Sequence, residues 1–145
     1  MAIMAVERTR VGYSGTPLWK KLGLKPGIIA ISLNAPDDYV EWLGDEDDAD
    51  APLPATVIKG GEDFIHLFTT ERSELAETAQ AAFDRMARNG MLWVSWPKKA
   101  SKVPADVTED VIREVCLPMG LVDVKVCAVS EVWSGLKLMV RKELR

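Results

Sequence analysis

The apolar positions of this chain form runs and stripes that predict strands alternating with helices. Nearly continuous apolar runs at residues 28–33, 64–68 and 91–96 are typical of strands covered on both faces. Between the last two runs, apolar side chains spaced three and four residues apart predict a long helix over about residues 71–88. A second amphipathic stretch predicts a helix over about residues 107–117. This alternation predicts an α/β domain with a mainly parallel sheet.

The end of the chain predicts two further strands, over residues 121–129 and 132–141. Because the link is so short, the two must form an antiparallel hairpin. In the second strand, Leu136 and Leu138 should share one face, with Lys137 on the other. The first strand alternates apolar side chains with a more polar set, as expected of one partly solvated face: Val122, Val124, Val126 and Ala128 against Leu121, Asp123, Lys125 and Cys127. The predicted fold is a three-layer, Rossmann-like α/β domain with an antiparallel C-terminal hairpin.

Capping residues predict where helices begin and end. Thr16 as N-cap, Pro17 at the first helical position and Gly23 as C-cap predict a short helix. Asp106, with Glu109 three positions later, resembles the capping box of the last helix.

Weaker signals complete the order of elements. Asn34 can cap a short helix that continues to Leu43, and residues 56–59 form a possible short strand. A threonine just before residue 71 should cap the long helix, and Asn89–Gly90 should end it with a left-handed residue.

Length and composition are those of one folded domain. The chain has 145 residues, of which 48% are hydrophobic and 28% charged, enough to bury a core. No repeat or interior linker is visible in the sequence. Residues 12–145 are therefore predicted to form a single α/β domain, preceded by a flexible arm at residues 1–11.

The charge of the chain is unevenly distributed. The formal net charge is −4, yet eight acidic and no basic residues lie between Asp37 and Asp50, so the remainder is basic by four. Adjacent like charges over Gly44–Asp50 favour a solvated loop, because the alternating ligands and distant glutamate of a Ca²⁺ loop are missing. We expect no metal, no nucleic acid and no membrane partner; the oligomeric state stays open.

Cysteine usage and the lack of long apolar runs predict a cytoplasmic protein. Cys116 and Cys127 belong to no CxxC motif and are interpreted as reduced, buried thiols. The first residues lack an apolar run of signal-peptide length, and no run approaches the ~18 apolar residues of a membrane span.

The loop after the third apolar run is the clearest candidate for a site. It carries three lysines and a serine shortly before a predicted helix. Open α/β sheets bind ligands at the carboxyl ends of their strands, and helix N-termini favour anions. We therefore predict a small anionic ligand at Asn34, Lys98, Lys99, Ser101 and Lys102. The alternative is an exposed basic loop whose lysines pair with surface acids such as Asp106.

No catalytic residue and no cofactor are predicted. His66 is the only histidine, and its position within an apolar run favours a packed core residue over a general base. Trp93 is expected in the core for the same reason. Asp123 and Lys125 are interpreted as an exposed ion pair.

In its order of elements the chain resembles the second half of a class I methyltransferase fold. In that fold a strand, a helix, a glycine turn and a further strand precede one more helix and a reversed hairpin, an order that residues 26–141 follow. The resemblance implies a reduced Rossmann-like architecture. The glycine-rich cofactor loop is missing, because Asn34, Ala35 and Pro36 follow the first strand. We therefore expect no binding of S-adenosylmethionine (SAM) or its demethylated product (SAH) at micromolar concentration.

Several longer strings resemble one bacterial family. Residues 12–18, 92–101, 120–129 and 133–137 are similar to the family catalogued as domain of unknown function 3052. That resemblance implies a small α/β protein and brings no assigned activity, cofactor or catalytic residue.

The leading functional hypothesis is a non-enzymatic protein that binds a small anionic ligand or a protein partner. One alternative is a transferase related to methyltransferases, with a rebuilt, glycine-free cofactor loop. Another is a structural or oligomer-forming module that acts through the C-terminal hairpin. The sequence leaves open whether the protein is an enzyme.

Overall fold

A computed structural model describes residues 16–44, 51–56 and 59–145. The predicted N-terminal arm, most of the predicted acidic loop and the middle of the possible strand at residues 56–59 lie outside the described residues.

Helices and strands alternate through most of the described chain. The elements are α1 (Leu18–Leu22), β1 (Ala30–Leu33), α2 (Tyr39–Leu43), β2 (Phe64–Phe68), α3 (Arg72–Arg85), β3 (Met91–Pro97), α4 (Glu109–Cys116), β4 (Leu121–Ala128) and β5 (Trp133–Val140). Short 3₁₀ turns cover Lys99–Ser101, Leu117–Met119 and Lys142–Leu144. The predicted α/β fold class is confirmed.

The five strands form one sheet with the order β1-β2-β3-β5-β4. β1, β2 and β3 are parallel, with Ile31 beside Ile65 and Ile65 beside Leu92. β5 runs antiparallel to both of its neighbours, β3 and β4. Outside β1, Ala55 forms an isolated parallel bridge with Ile31. The hairpin is therefore antiparallel, as predicted, and its second strand joins it to the parallel part of the sheet.

Helices cover the sheet on two sides and produce three layers. On one side, called here the aliphatic face, side chains such as Leu67, Leu92 and Leu138 pack with residues of α3 and α4. On the other side, called here the aromatic face, Phe64 and Trp93 pack with residues of α1 and α2. The all-buried pattern of β2 reflects this double cover.

The first helix begins one residue later than predicted. Pro17 itself occupies the N-cap position of α1, and Gly23 ends the helix with a left-handed φ of 86°. The C-cap prediction is confirmed, and the assignments of Thr16 as N-cap and of Pro17 as the first helical residue are wrong. β1 likewise begins at Ala30, two residues later than its apolar run.

The long helix ends earlier than predicted. α3 stops at Arg85, and Met86 follows it with an extended ψ of 155°, so Asn89–Gly90 does not end the helix. Gly90 is needed for a different reason, because a Cβ at this position would lie 2.8 Å from the carbonyl oxygen of Glu62. The turn before β3 requires a glycine for this close approach.

Asp106 caps a different helix from the one predicted. The N-cap of α4 is Thr108, whose Oγ1 accepts a hydrogen bond from the backbone N–H of Val111 at 3.2 Å. The Oδ1 atom of Asp106 instead accepts from the N–H of Arg72, at the start of α3, at 2.6 Å. The N-cap position of α3 is Glu71 rather than a threonine. The capping-box prediction is wrong because Asp106 meets a helix 34 residues away in sequence.

A β-bulge breaks the alternation predicted for β4. The register shifts between Asp123 and Lys125, so Val122 lies opposite Met139 while Val126 lies opposite Leu136. These two valines therefore project from opposite faces of the sheet. The prediction that Val122 and Val126 share one face is therefore wrong, although both are partly exposed, at 40% and 47%.

The faces predicted for the side chains of β5 are confirmed. Leu136 and Leu138 are both buried on the aliphatic face, and Lys137 lies opposite Trp93 of the aromatic face. The predicted Asp123–Lys125 ion pair is wrong, because the Oδ2 atom of Asp123 accepts from Nε of Arg113 at 3.0 Å.

Across the described part of the chain, no helix combines the length and the apolar character needed to cross a bilayer. The cytoplasmic location stays a prediction.

Candidate functional site

The carboxyl ends of the parallel strands meet at one edge of the sheet, called here the carboxyl edge. β1 ends at Leu33, β2 at Phe68 and β3 at Pro97. Trp133, the first residue of β5, lies opposite Pro97 at the same edge. Open α/β sheets place their ligands at such an edge.

Asn34 determines the direction of the loop after β1. Its φ is 60°, in the left-handed region that few residues other than glycine adopt and that asparagine tolerates better than most. Asn34 does not cap α2, since the N-cap position is Asp38. The side chain of Asn34 is exposed. The chain therefore turns sharply at the end of β1 without a glycine.

The predicted anion-binding residues are distributed over two separate loops. β2 lies between β1 and β3, so two strand spacings place the end of β1 about 10 Å from β3. Leu33 is level with Leu67, and Leu67 with Val94, so Lys98 lies farther along the strand direction. Asn34 and the lysines therefore do not form one compact cluster.

Two residues of the basic loop, residues 98–102, hold the loop in place. Nζ of Lys98 donates to the carbonyl oxygen of Ser130 at 3.0 Å. Oγ of Ser101 donates to the carbonyl oxygen of Lys98 at 2.7 Å. Lys99 and Lys102 are exposed, and Lys102 has a left-handed φ of 62°. Lys99 and Lys102 are thus the residues of this loop best placed to meet a ligand.

The acid expected to neutralise this loop is engaged elsewhere. Asp106 accepts its hydrogen bond from Arg72 at the start of α3. Among the described residues, no carboxylate forms an ion pair with Lys98, Lys99 or Lys102. Asp106 therefore does not neutralise the lysines of the basic loop, as the alternative interpretation required. The anion site itself stays a prediction.

A buried hydrogen-bonded chain lies on the aromatic face. His66 and Ser95 are both fully buried. The Nδ1 atom of His66 lies 2.8 Å from Oη of Tyr39, and its Nε2 atom lies 2.7 Å from Oγ of Ser95. The imidazole stacks on Phe68 with ring centroids 4.3 Å apart. His66 is therefore a packed core residue with partners on both ring nitrogens.

Burial determines the protonation of His66 and Tyr39. Desolvation lowers the pKa of His66 from 6.5 to about 3 and raises the pKa of Tyr39 well above its usual range. A neutral imidazole has one donor nitrogen and one acceptor nitrogen. The hydroxyl of Tyr39 or of Ser95 can either donate to it or accept from it. At neutral pH the histidine is uncharged, so the arrangement holds α2 to the sheet rather than presenting a base to solvent.

The partners of His66 were not predicted from the sequence. Ser95 is the one polar residue in the run at residues 91–96, and Tyr39 lies outside the strands. The strand register explains why His66 meets Ser95, since Phe68 lies beside Ser95 and His66 lies beside Trp93. A polar residue inside an otherwise apolar strand was the available signal, because such a group needs a buried partner.

Burial disfavours the thiolate form of both cysteines. Burial raises the pKa of Cys116 to about 12 and also raises the pKa of Cys127. Both cysteines are free, with Cys116 buried and Cys127 half-buried. Within the described ranges, no group of three or more histidine, cysteine, aspartate or glutamate side chains is arranged to hold a metal ion.

Comparison with solved structures agrees with this topology. A structure of LepI in complex with SAM matches 86% of this chain at 13% identity, with a TM-score of 0.52. A LepI variant in complex with SAH and a substrate analogue matches the same share at 13% identity and a TM-score of 0.53. The fold is methyltransferase-like. The chain spans only 39% of the length of LepI.

Comparison of the sequence gives no family. No family model matches the chain, and no curated protein matches it. The resemblance to domain of unknown function 3052 therefore stays a prediction.

Proposed function

We propose that this methyltransferase-like domain binds SAM or SAH at the carboxyl edge, through a turn rebuilt around Asn34. The supporting observation is the backbone of Asn34, whose φ of 60° gives the turn that glycine usually provides. The sequence-based expectation against SAM rested on the missing glycine; the conformation of Asn34 supplies the turn but not the close approach to the backbone that a glycine allows. Structures of similar fold contain SAM or SAH, which favours the same ligand class.

The polar groups of the turn suit an adenosyl amino acid. The amide of Asn34 can donate to the ligand's carboxylate and accept from its ammonium group. Asp37 and Asp38 follow after Ala35 and Pro36 and are exposed, so their carboxylates can accept from the ammonium or from ribose hydroxyls. A side chain at position 34 keeps the ligand farther from the backbone than a glycine would. Binding therefore depends on these side chains.

The buried network positions the turn. Tyr39 begins α2 directly after Asp38, and its hydroxyl is bonded to His66 beneath it. The backbone N–H of Tyr39 also donates to the carbonyl oxygen of Pro36 at 3.0 Å. Asp37 and Asp38 thus lie on a segment fixed at both ends, which lowers the entropy cost of binding. When bound, SAM supplies an activated methyl group; the residues named here bind and orient it.

Isothermal titration with SAM and SAH tests the proposal. We expect one-to-one binding at micromolar concentration, weakened about tenfold or more in Asp38→Asn if its carboxylate accepts a charge-assisted hydrogen bond. Asn34→Gly retains the left-handed turn but removes the amide, so it should fold normally and bind more weakly. Lys125→Ala, on the edge strand β4, is the control and should bind like the wild type.

Absence of heat with both ligands at millimolar protein and ligand concentration contradicts the binding of SAM or SAH. Equal affinity of Asp38→Asn, Asn34→Gly and the wild type would place the ligand somewhere other than this turn.

The second candidate function is the non-enzymatic binding of a small anion at the basic loop. It is favoured by Lys99 and Lys102, which are exposed and lack a carboxylate partner among the described residues. Thermal shifts with phosphate, sulfate and nucleotides should be reduced in Lys99→Ala and Lys102→Ala and at high salt. Equal shifts in the wild type and both variants would remove this candidate. The resemblance to domain of unknown function 3052 adds no activity to either proposal.

A further inference from the structure

A cavity opens at the amino-terminal end of β1, away from the carboxyl edge. Its volume is about 350 Å³, within the range of small-molecule sites. Apolar residues that include Ile29, Ile31 and Leu53 line it, and Ile29 and Leu53 are 54% and 66% exposed. Lys25 and Lys59 also line the cavity, and both are exposed. The site is thus amphipathic, with apolar walls and cations that can reach solvent.

A buried carboxylate with an unused oxygen belongs to the same cavity. Glu62 lines it and is 0% exposed. Its Oε2 atom accepts hydrogen bonds from the backbone N–H groups of Lys59 at 2.7 Å and Gly60 at 2.8 Å. Its Oε1 atom has no hydrogen-bond partner among the described residues. Because burying an unpartnered polar atom costs free energy, this oxygen is an acceptor that a donor group of a ligand would satisfy.

The loop around Glu62 prevents the carboxylate from turning toward solvent. Gly60 and Gly61 have φ values of 104° and 76°, a conformation that glycine adopts without strain. The N–H of Gly61 donates to the carbonyl oxygen of Arg85 at 2.7 Å, and the N–H of Ala87 donates to that of Glu62 at 2.9 Å. The end of α3 therefore holds the residues around Glu62, and the unused oxygen stays inside.

We propose that this cavity is a second ligand site, which binds a small ω-hydroxy carboxylate. The hydroxyl donates to Oε1 of Glu62, the apolar body lies against Ile29 and Leu53, and the carboxylate pairs with Lys25 or Lys59. Two lysines and one glutamate leave the lining positive by one charge, which favours an anionic ligand over an amine. A hydroxyl is the donor that satisfies Glu62 without adding a further positive charge.

A series of probes with equal chain length tests the chemistry. Titration with ω-hydroxyhexanoate, hexanoate and hexylamine, followed by calorimetry or ligand-observed NMR, measures the value of each end group. We expect ω-hydroxyhexanoate to bind about tenfold more tightly than hexanoate, because only it satisfies the buried acceptor. Hexylamine should bind more weakly than either carboxylate.

Variants assign the binding to this cavity. Glu62→Gln can keep one oxygen for the Lys59 and Gly60 N–H groups while placing an NH₂ donor where Oε1 was, so it should abolish the preference for the hydroxyl. Lys25→Ala combined with Lys59→Ala should weaken both carboxylates equally. Lys102→Ala, at the carboxyl edge, should change nothing and separates this site from the basic loop.

Three results would overturn the proposal: equal affinity for ω-hydroxyhexanoate and hexanoate, an unchanged preference in Glu62→Gln, or tighter binding of hexylamine. If Glu62→Gln does not fold, Leu53→Ser tests the same cavity, because Leu53 is exposed and its loss should weaken all the carboxylate probes without unfolding the domain. Unchanged affinity in Leu53→Ser then contradicts the proposal. SAM titration is independent of these outcomes.

Discussion

The two faces of the sheet are both well covered, but different interactions hold their helices. On the aliphatic face, Leu67 and Leu92 contact the helices through apolar packing, which has no direction, and the hydrogen bond from Arg113 of α4 to Asp123 of β4 is only half-buried. On the aromatic face, buried hydrogen bonds are added to the packing. Tyr39 of α2 is bonded to His66, and Nε1 of Trp93 donates to the carbonyl oxygen of Leu22, the last residue of α1, at 2.7 Å.

This difference separates stability from positioning. Apolar packing tolerates changes that conserve volume, whereas a buried hydrogen bond fixes an orientation and is costly to leave unmade. α1 and α2 are only five residues each and depend on such anchors more than α3 and α4 do. Because α2 follows the Asn34 turn, the aromatic face also fixes one side of the carboxyl edge.

Removing β5, which lies between β3 and β4, should have the largest effect. Ending the chain before Val132 removes the ladder bonds of this strand to both neighbours. We expect loss of the cooperative thermal transition, measured by circular dichroism. A chain that ends after Arg141 lacks only the last 3₁₀ turn and should still fold. An unchanged melting temperature in the chain that ends before Val132 would show that the hairpin is an appendage.

The aliphatic face should lose stability through cavity formation. Leu67 is fully buried in the core formed with α3 and α4. Leu67→Ala should lower the free energy of unfolding by about 2–5 kcal/mol, measured by urea denaturation. Val124→Ala, at a position 49% exposed, is the control and should change it by less than about 0.5 kcal/mol. Similar losses in the two variants would mean that this face is not the main core.

The aromatic face should lose stability through an unpartnered polar atom. Tyr39→Phe keeps the ring but leaves Nδ1 of His66 without its partner, so we expect a loss of about 1–3 kcal/mol. Val40→Ala, an exposed neighbour on the same helix, should be nearly neutral. The same Tyr39→Phe change in a His66→Gln background measures the coupling, and full additivity of the two changes would contradict a direct interaction.

The strands were predictable because their signal is local. β2 occupies the predicted run 64–68, and β3 extends the predicted run 91–96 by one residue, because a run that is apolar except at one position is typical of a doubly covered strand. Helix ends were less predictable, since Asp106 caps α3 from a distant loop. The β4 bulge had no local signature, so Val122 and Val126 could not be assigned to opposite faces.

The candidate site was predictable in location but not in detail. The carboxyl edge follows from parallel strands, which the alternation of elements indicates. The left-handed turn at Asn34 could not be foreseen, because an asparagine caps helices as readily as it turns them. Glu62 gave no signal at all, since a glutamate beside two glycines in sequence looks like an exposed turn. Its burial depends on α3 and on the residues that precede β1.

The last expected effect is a pH dependence confined to the aromatic face. Burial lowers the pKa of His66 from 6.5 to about 3, so between these values the unfolded chain binds a proton that the folded chain does not. Stability therefore falls as the pH falls below about 6.5, by about 1.4 kcal/mol per pH unit at most, and this contribution is constant at higher pH.

Urea denaturation of the wild type and His66→Gln from pH 7.5 down to pH 5 measures this contribution. Carboxylates elsewhere titrate equally in both proteins, so the difference between the two curves isolates the histidine. The wild type should lose stability more steeply below about pH 6.5, while the variant, whatever its stability at neutral pH, should show the shallower slope. Parallel curves would mean that the imidazole is hydrated in the folded state, and the aromatic face would then be less dry than the aliphatic one.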